Sequence, residues 1–217
     1  MNIFSRNLIS YSILCFLVTL VLVCCTYADD SHNNMGSNIP LQVEIFKKNR
    51  KSIQCISGIQ FSPVFFHKDL PTFNYARTSI RLGWMLNDPG AKKSLFRGNW
   101  EAVFELSSSA IFKGSGDYIM GIAALLRYNF LQSDSQLVPY IQGGAGIAYT
   151  DAYYYPAIGQ GFNFTPQASM GLRYLVNRFL SVDAEATFHH ISNAGLDSRN
   201  KGVNSFGGYV GITYYFD

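Results

Sequence analysis

Charge is scarce in this 217-residue sequence, because Asp, Glu, Lys and Arg make up only 14% of it, against about 25% in an ordinary soluble domain. The formal net charge is +3, and the basic residues are dispersed along the chain. Nucleic acid is therefore excluded as an expected partner, since proteins that bind it carry a basic patch. Past residue 25, no apolar run approaches the ~20 residues that a membrane-spanning helix needs.

Fibrous repeats are lacking as well. Neither a Gly-X-Y repeat nor a sustained heptad is present, which excludes collagen-like and coiled-coil rods. Hydrophobic residues, by contrast, make up 48% of the chain and aromatic residues 15%. So much apolar surface excludes an unfolded chain. These proportions predict one β-rich domain whose excess of Tyr and Phe needs an explanation.

The N-terminus has the order of parts of a secretory signal peptide. Arg6 precedes an apolar stretch over residues 8–25, and small residues follow up to Ala28. Small residues before the cleavage point are typical of such signals. We therefore expect a signal peptide over residues 1–28 and a polar leader over residues 29–51. Because the apolar stretch is long for a signal, an uncleaved anchor is the alternative.

Cysteine is nearly absent from the expected mature chain. Cleavage after Ala28 removes three of the four cysteines and leaves Cys55. An internal disulfide is then impossible, and a single free cysteine is typically a small buried or lipid-facing hydrophobe. His32 and His67 have no partners at metal-ligand spacing, so we expect neither a metal nor another cofactor.

Beyond the leader, apolar residues recur with the period of two that is typical of β-strands. Eight segments show this alternation: 52–61, 74–87, 100–112, 118–128, 138–149, 162–174, 180–190 and 205–216. Each is near the ~9–11 residues that a tilted strand needs to cross a bilayer. The pattern predicts an all-β fold over residues 52–217, an eight-stranded antiparallel transmembrane β-barrel of the outer-membrane type. Interfacial aromatic girdles explain the Tyr and Phe excess in such a barrel.

Charged side chains alternate with the apolar ones on these segments, and their signs balance. The inward-facing set consists of Arg77, Arg81, Glu101, Glu105, Arg127, Arg173, Asp183 and Glu185. A soluble lipid-carrier barrel would direct its apolar residues inward instead. Eight strands leave an interior just wide enough for side chains to fill, so we expect a plugged polar interior and not a pore.

The end of the seventh segment carries the candidate chemistry. Its alternation directs His189 inward and directs His190 and Ser192 outward, two residues apart on one strand face. An imidazole so placed is close enough to act as a base on the hydroxyl. The alternative is that the strand has already ended and both residues are polar loop residues at the barrel rim. If both termini are periplasmic, this segment ends at the cell surface, where lipopolysaccharide is the ester-bearing molecule at hand.

The same segment resembles the lipid A 3-O-deacylase family of PagL-like acyloxyacyl hydrolases. The resemblance is carried by the motif His190-Ile191-Ser192-Asn193-Ala194-Gly195, by Asn200-Lys201-Gly202, and by stretches upstream and in the Tyr-rich final strand, over roughly residues 119 to 216. It implies an outer-membrane enzyme that hydrolyses the 3-O-linked acyl chain of lipid A, with lipopolysaccharide and outer-membrane lipids as its partners. It implies Ser192 as nucleophile and His190 as general base, on the outer face of the barrel.

The acid of the family's Ser-His-acid triad lies twelve residues beyond the serine, and this position is Asn204 here. An amide can orient the imidazole but cannot stabilise its cation. A hairpin that pairs Ser192 with Asn204 would place the amide beside the dyad, and Asp197 is the alternative acid from the loop. Asn193 and Gly195 are the nearest candidate donors to an oxyanion.

A second interpretation treats the chain as a non-catalytic outer-membrane barrel of the small adhesin or structural kind. In that case the spacing of His190 and Ser192 is accidental, or Asn204 marks a homologue that has lost its activity. Deacylation of lipid A by the purified protein distinguishes the two. The sequence does not indicate an oligomeric state.

Overall fold

The computed structural model describes residues 41–63, 72–90, 94–132, 135–152, 157–159 and 161–217. The expected signal peptide and residues 29–40 of the expected leader lie outside this part of the chain. The elements are α1 (Leu41–Ile45), β1 (Lys51–Phe61), β2 (Asn74–Met85), β3 (Gly98–Lys113), β4 (Tyr118–Phe130), β5 (Leu137–Thr150), β6 (Phe162–Phe164), β7 (Gln167–Leu175), β8 (Leu180–Ile191) and β9 (Val203–Phe216). Within the described ranges, no helix has the length and apolar character needed to span a membrane.

The strands form one closed antiparallel sheet. Its order is β4-β3-β2-β1-β9-β8-β7-β5-β6, and a further pairing of β4 with β5 closes the barrel. β6 and β7 both pair with β5, and Thr165 between them still exchanges backbone hydrogen bonds with Gly146. Pro166, which has no N–H to donate, follows at the break. β6 and β7 are thus one interrupted wall strand, and the predicted eight-stranded barrel is confirmed.

Burial alternates along the strands as the sequence pattern predicts. On β2, Arg81 is 3% exposed and its neighbour Leu82 is 53% exposed. On β3, Glu105 is buried in the same way, and Phe104 and Leu106 are exposed on either side of it. The apolar face therefore points outward, toward lipid, and the charged face points into the barrel. This arrangement excludes the soluble lipid-carrier alternative.

The eight predicted interior charges are all buried, and each takes part in at least one ion pair with another of them. Arg81 contacts Glu105 at 2.6 Å and Glu185 at 2.8 Å, so it joins two carboxylates across the interior. Arg173 approaches Glu101 at 3.1 Å nearer the end of the barrel that carries α1. Each of these arginines pairs with carboxylates whose charge would otherwise be buried without a partner. The side chains fill the barrel, as the plugged interior requires.

An apolar cluster covers each end of this charged interior. At the α1 end the cluster consists of Ile45, Phe46, Met85, Leu131, Val138, Leu175 and Tyr215. At the opposite end it consists of Phe73, Tyr75, Ile111, Ile119, Ala148, Ala152, Ala157, Ile158, Ile191 and Val203. Within the expected leader, residues Leu41–Ile45 form a short helix whose Ile45 is fully buried. Arg50 is a buried charge that the alternation did not reveal, and it lies 3.4 Å from Asp217.

The interior network gives a testable expectation for stability. Glu105→Ala removes the carboxylate shared by Arg77 and Arg81, and leaving a buried charge without its partner typically costs about 3–5 kcal/mol. We expect a lower unfolding midpoint in detergent, measured by circular dichroism against denaturant. Lys113→Ala, at an exposed strand end, is the control and should leave the midpoint unchanged. An unchanged midpoint for Glu105→Ala, or a steady ion current through the reconstituted protein, would contradict the plugged interior.

Candidate active site

The predicted site residues lie at the end of the barrel opposite α1, where β8 ends and β9 begins. His190 and Asn204 are directly opposite each other in the β8–β9 ladder, and both side chains are partly exposed. The residues beside them, His189 and Ser205, are buried inside the barrel. The two adjacent histidines therefore occupy different faces of the wall, and His190 has the lipid-facing side.

His190 and Asn204 are joined by a hydrogen bond of 2.6 Å between Nδ1 of the imidazole and Oδ1 of the amide. A carbonyl oxygen can only accept, so the Nδ1–H of His190 is the donor. In the neutral ring this leaves the lone pair on Nε2, where a general base needs it. The amide thus fixes both the tautomer and the direction of the imidazole.

Ser192 is not opposite Asn204, and the pairing expected from the sequence is wrong at this point. The ladder pairs Asn204 with His190 and ends with Ile191 and Val203. Ser192 instead pairs with Phe164 on β6, donating its N–H over 3.1 Å and accepting the N–H of Phe164 over 2.7 Å. Among the described residues, the Ser192 hydroxyl makes no direct hydrogen bond with the imidazole. The structure therefore brings His190 and Asn204 together and anchors Ser192 separately, two residues along the chain.

Gly202 explains why the ladder stops where it does. Its φ of 72° lies in the left-handed region that favours glycine, and its N–H donates to the carbonyl of Ala157 over 3.1 Å. A Cβ at this position would lie 2.7 Å from Cε1 and 3.2 Å from Nε2 of His190. The imidazole therefore packs directly against the glycine backbone. The sequence contained Gly202 in the family motif but gave no sign of this contact.

The candidate oxyanion donors are engaged in holding the β8–β9 loop. Asn193 is fully buried, and its N–H donates to Oδ1 of Asn200 over 2.8 Å. Its side-chain amide donates to the carbonyl of Arg199 over 3.2 Å, and its Oδ1 accepts the N–H of Gly195 over 3.0 Å. Ala194 between them has a φ of 54°. These bonds fix the shape of the loop that follows Ser192.

Asp197, the alternative acid, is committed to Arg199. Its Oδ1 accepts the N–H of Arg199 over 2.8 Å, and the guanidinium lies 3.3 Å away. These hydrogen bonds lower the pKa of the Asp197 carboxyl. The guanidinium of Arg199 also donates to the carbonyl of Gly159 over 2.8 Å. Asp197 thus helps to join two loops, and within the described part of the chain it makes no hydrogen bond or ion pair with His190.

Aromatic and small side chains surround the site on the outer face. Phe188 and Phe206 are one step nearer the middle of the barrel, with ring centroids 5.0 Å apart. Phe162 and Phe164 make an edge-to-face pair at 5.5 Å on the other side of Ser192. Beyond Phe188 and Phe206 an apolar groove runs along the wall, and its lining includes Ala184, Ala186, Gly208, Met170 and Leu172. No group of three or more metal-ligating side chains occurs in the ranges that the structure describes.

Comparison with known proteins gives one family. The family model of lipid A 3-O-deacylase (PagL) matches residues 59–213. The crystal structure of the outer membrane enzyme PagL is similar in fold, with a TM-score of 0.53, 20% identity, and coverage of 74% of this chain and 97% of that one.

A second structure, Neisserial surface protein A (NspA), matches with a TM-score of 0.53, 16% identity, and coverage of 77% of this chain and 97% of the other. At such identities the two structures support the fold alone. No curated protein matches the sequence. The family model covers well over half of the chain, and so the chain belongs to the lipid A 3-O-deacylase (PagL) family of outer-membrane β-barrels.

Proposed function

We propose that this protein is an outer-membrane esterase that hydrolyses the 3-O-linked acyl chain of lipid A. Ser192 is the nucleophile, His190 the general base, and Asn204 the residue that orients His190. The observation that carries the proposal is the 2.6 Å hydrogen bond from His190 Nδ1 to Asn204 on the lipid-facing side of the wall, two residues from a serine. Family membership supplies the substrate class.

The reaction follows the Ser-His pattern. Nε2 of His190 takes the proton of the Ser192 hydroxyl while the Ser192 oxygen attacks the ester carbonyl carbon. The tetrahedral intermediate collapses, the bond to the sugar oxygen breaks, and the imidazolium returns the proton to that oxygen. Water, deprotonated by the same nitrogen, then releases the fatty acid from Ser192. Hydroxyl–imidazole contacts are often long without substrate and tighten when it binds, in accord with the separate anchoring of Ser192.

The oxyanion of the intermediate needs hydrogen-bond donors. Asn193 and Gly195 are the nearest candidates after Ser192, but the N–H and the side-chain amide of Asn193 are bonded to Asn200 and Arg199, so the Gly195 N–H is the available donor. The Gly195 N–H is donated to Oδ1 of Asn193 in the free protein, so its use for an oxyanion exchanges one acceptor for another. The buried Asn193 amide keeps the loop in place during this exchange.

The surroundings of the site suit a lipid substrate in the outer leaflet. Both α1 and the final residues of β9 are at the opposite end of the barrel, with Phe46 packed against Tyr215. With that end in the periplasm, as expected for such barrels, the site is at the cell surface. The paired phenylalanines border the site on its membrane side, and the apolar groove lies beyond them. An acyl chain would lie along this surface.

Incubation of the purified protein with lipopolysaccharide in detergent tests the proposal. We expect mass spectrometry to show loss of the 3-O-linked acyl chain from lipid A, with that chain retained in the Ser192→Ala variant. Heat-modifiable mobility on gels shows that both proteins are folded barrels. If the folded wild-type protein releases no fatty acid, the chain is a non-catalytic barrel or an inactive homologue and the proposal fails.

A further inference from the structure

Directly behind the outward pair His190 and Asn204, three buried side chains are joined inside the barrel. His189 and Ser205 are opposite each other in the β8–β9 ladder and are 3% and 0% exposed. Tyr75 reaches them from β2, a strand that does not pair with β8 or β9. Its hydroxyl lies 2.6 Å from Nδ1 of His189 and 2.8 Å from Oγ of Ser205. We call these three residues the internal clasp.

The direction of each hydrogen bond in the internal clasp follows from the number of protons that its groups can donate. Oγ of Ser205 donates its one proton to the carbonyl of His189 over 3.0 Å. The Tyr75 hydroxyl must then donate to Oγ of Ser205, and its oxygen accepts the Nδ1–H of His189. All three bonds are made only if His189 is protonated on Nδ1. The clasp is thus a closed cycle in which each hydroxyl both donates and accepts.

The internal clasp rests on a rigid support. Tyr75 is fully buried in the apolar cluster at this end, with its ring 5.9 Å from that of Phe73 and 6.1 Å from that of His189. Within the described residues, Nε2 of His189 has no hydrogen-bond partner. The ring of His189 is therefore held through Nδ1 alone, and its place depends on Tyr75.

The outward pair needs such support because it is the last residue pair but one in the β8–β9 ladder. Only Ile191 and Val203 pair beyond His190 and Asn204, and strand ends are where backbone pairing opens most easily. A shift of either strand by about 1 Å would break the 2.6 Å bond between His190 and Asn204, since such bonds weaken beyond about 3.2 Å. The internal clasp links the two neighbouring residues, one on each strand, to a third strand across the barrel.

We propose that Tyr75, His189 and Ser205 are positioning residues for deacylation, which hold β8 and β9 so that Asn204 keeps His190 in its reactive orientation. This inference rests on the proposed function. None of the three touches substrate, because all are sealed inside the barrel. They act through the backbone of His190 and Asn204.

A matched pair of variants at Ser205 isolates the clasp. Ser205→Thr keeps the hydroxyl, and Ser205→Val has nearly the same shape without it, so any crowding from the added methyl groups is common to both. We expect Ser205→Val to have a kcat about tenfold below that of Ser205→Thr, with an unchanged KM, because small misplacements of a catalytic group cost up to about a hundredfold in rate. Thr213→Val removes a buried hydroxyl elsewhere on β9, one bonded to Asp183, and should lower stability without changing kcat per folded molecule.

A readout independent of turnover is the tautomer of His190, measured by NMR on protein labelled with ¹⁵N-histidine in micelles. The sequence has four histidines, and His190→Ala assigns the signal. We expect an Nδ1–H tautomer in the wild-type protein and in Ser205→Thr, and a mixture in Ser205→Val. Tyr75→Phe removes both hydrogen bonds of the Tyr75 hydroxyl, to His189 and to Ser205, and serves if the Ser205 variants do not fold.

Equal kcat and equal tautomer populations in the Thr and Val variants would overturn the clasp as a positioning device. If the wild-type protein has no esterase activity, the proposed function fails, and the tautomer comparison still decides whether the clasp orients His190.

Discussion

His190→Ala is expected to lower the rate of lipid A deacylation by about 10⁴-fold or more, as loss of a Ser-His base does in other hydrolases. His189→Ala should cost only about tenfold, because it disturbs the orientation of His190 without removing the base. The two residues are adjacent in sequence but are on opposite faces of the barrel wall. The measurement is release of fatty acid from lipopolysaccharide, followed by mass spectrometry and compared per folded molecule.

Heat-modifiable gel mobility is the control for folding in this pair. His189 is buried and His190 is partly exposed, so the two variants can differ in stability and their activities are compared only per folded barrel. Equal losses of activity in two folded variants would mean that the face of the strand does not decide the role, and the assignment of His190 as the base would be wrong.

Strand positions and faces were predictable because a strand in a bilayer has one side facing lipid and the other facing the barrel interior. Outward residues are mostly apolar and inward residues near the middle of a narrow barrel are mostly polar, so Leu82 and Arg81 are assigned by parity alone. The paired interior charges follow in the same way, since Arg and acidic residues alternate with outward hydrophobes on several strands. Local sequence was sufficient wherever a residue's environment depends on its own strand.

Contacts between distant strands were not predictable in this way. Tyr75 is 114 residues from His189, and nothing in the alternation of β2 distinguishes it from other inward aromatic residues. The pairing of Asn204 with His190 depends on the residue at which the β8–β9 ladder ends. That end is set by the left-handed conformation of Gly202 and by the pairing of Ser192 with Phe164. The helix at Leu41–Ile45 likewise depends on the barrel mouth that it covers, and its five residues would not be stable alone.

The proposed site combines an imidazole that is oriented by a hydrogen bond with an uncharged third residue. Asn204 holds the ring, while Asp197, the alternative acid in the loop, is bonded to Arg199. In serine proteases, replacing the triad Asp by Asn costs about 10⁴-fold in turnover, yet Cys-His-Asn enzymes use an amide in this place. The barrel thus offers a direct measurement of what the missing charge contributes.

Substitutions at Asn204 make that measurement. Asn204→Glu places a carboxylate beside His190 at a partly exposed rim position, where water still solvates it, and Asn204→Asp changes a single atom of the amide. Because either carboxylate stabilises the imidazolium that forms as Ser192 attacks, we expect Asn204→Glu to retain or raise the rate of ester hydrolysis. Asn204→Ala should lower it about a hundredfold, since the ring is no longer held.

Asp197→Ala is the matched loop control and should change the rate little. A large loss in Asp197→Ala with none in Asn204→Ala would make Asp197 the acid, and full activity in both would leave a Ser-His dyad as the whole catalytic unit.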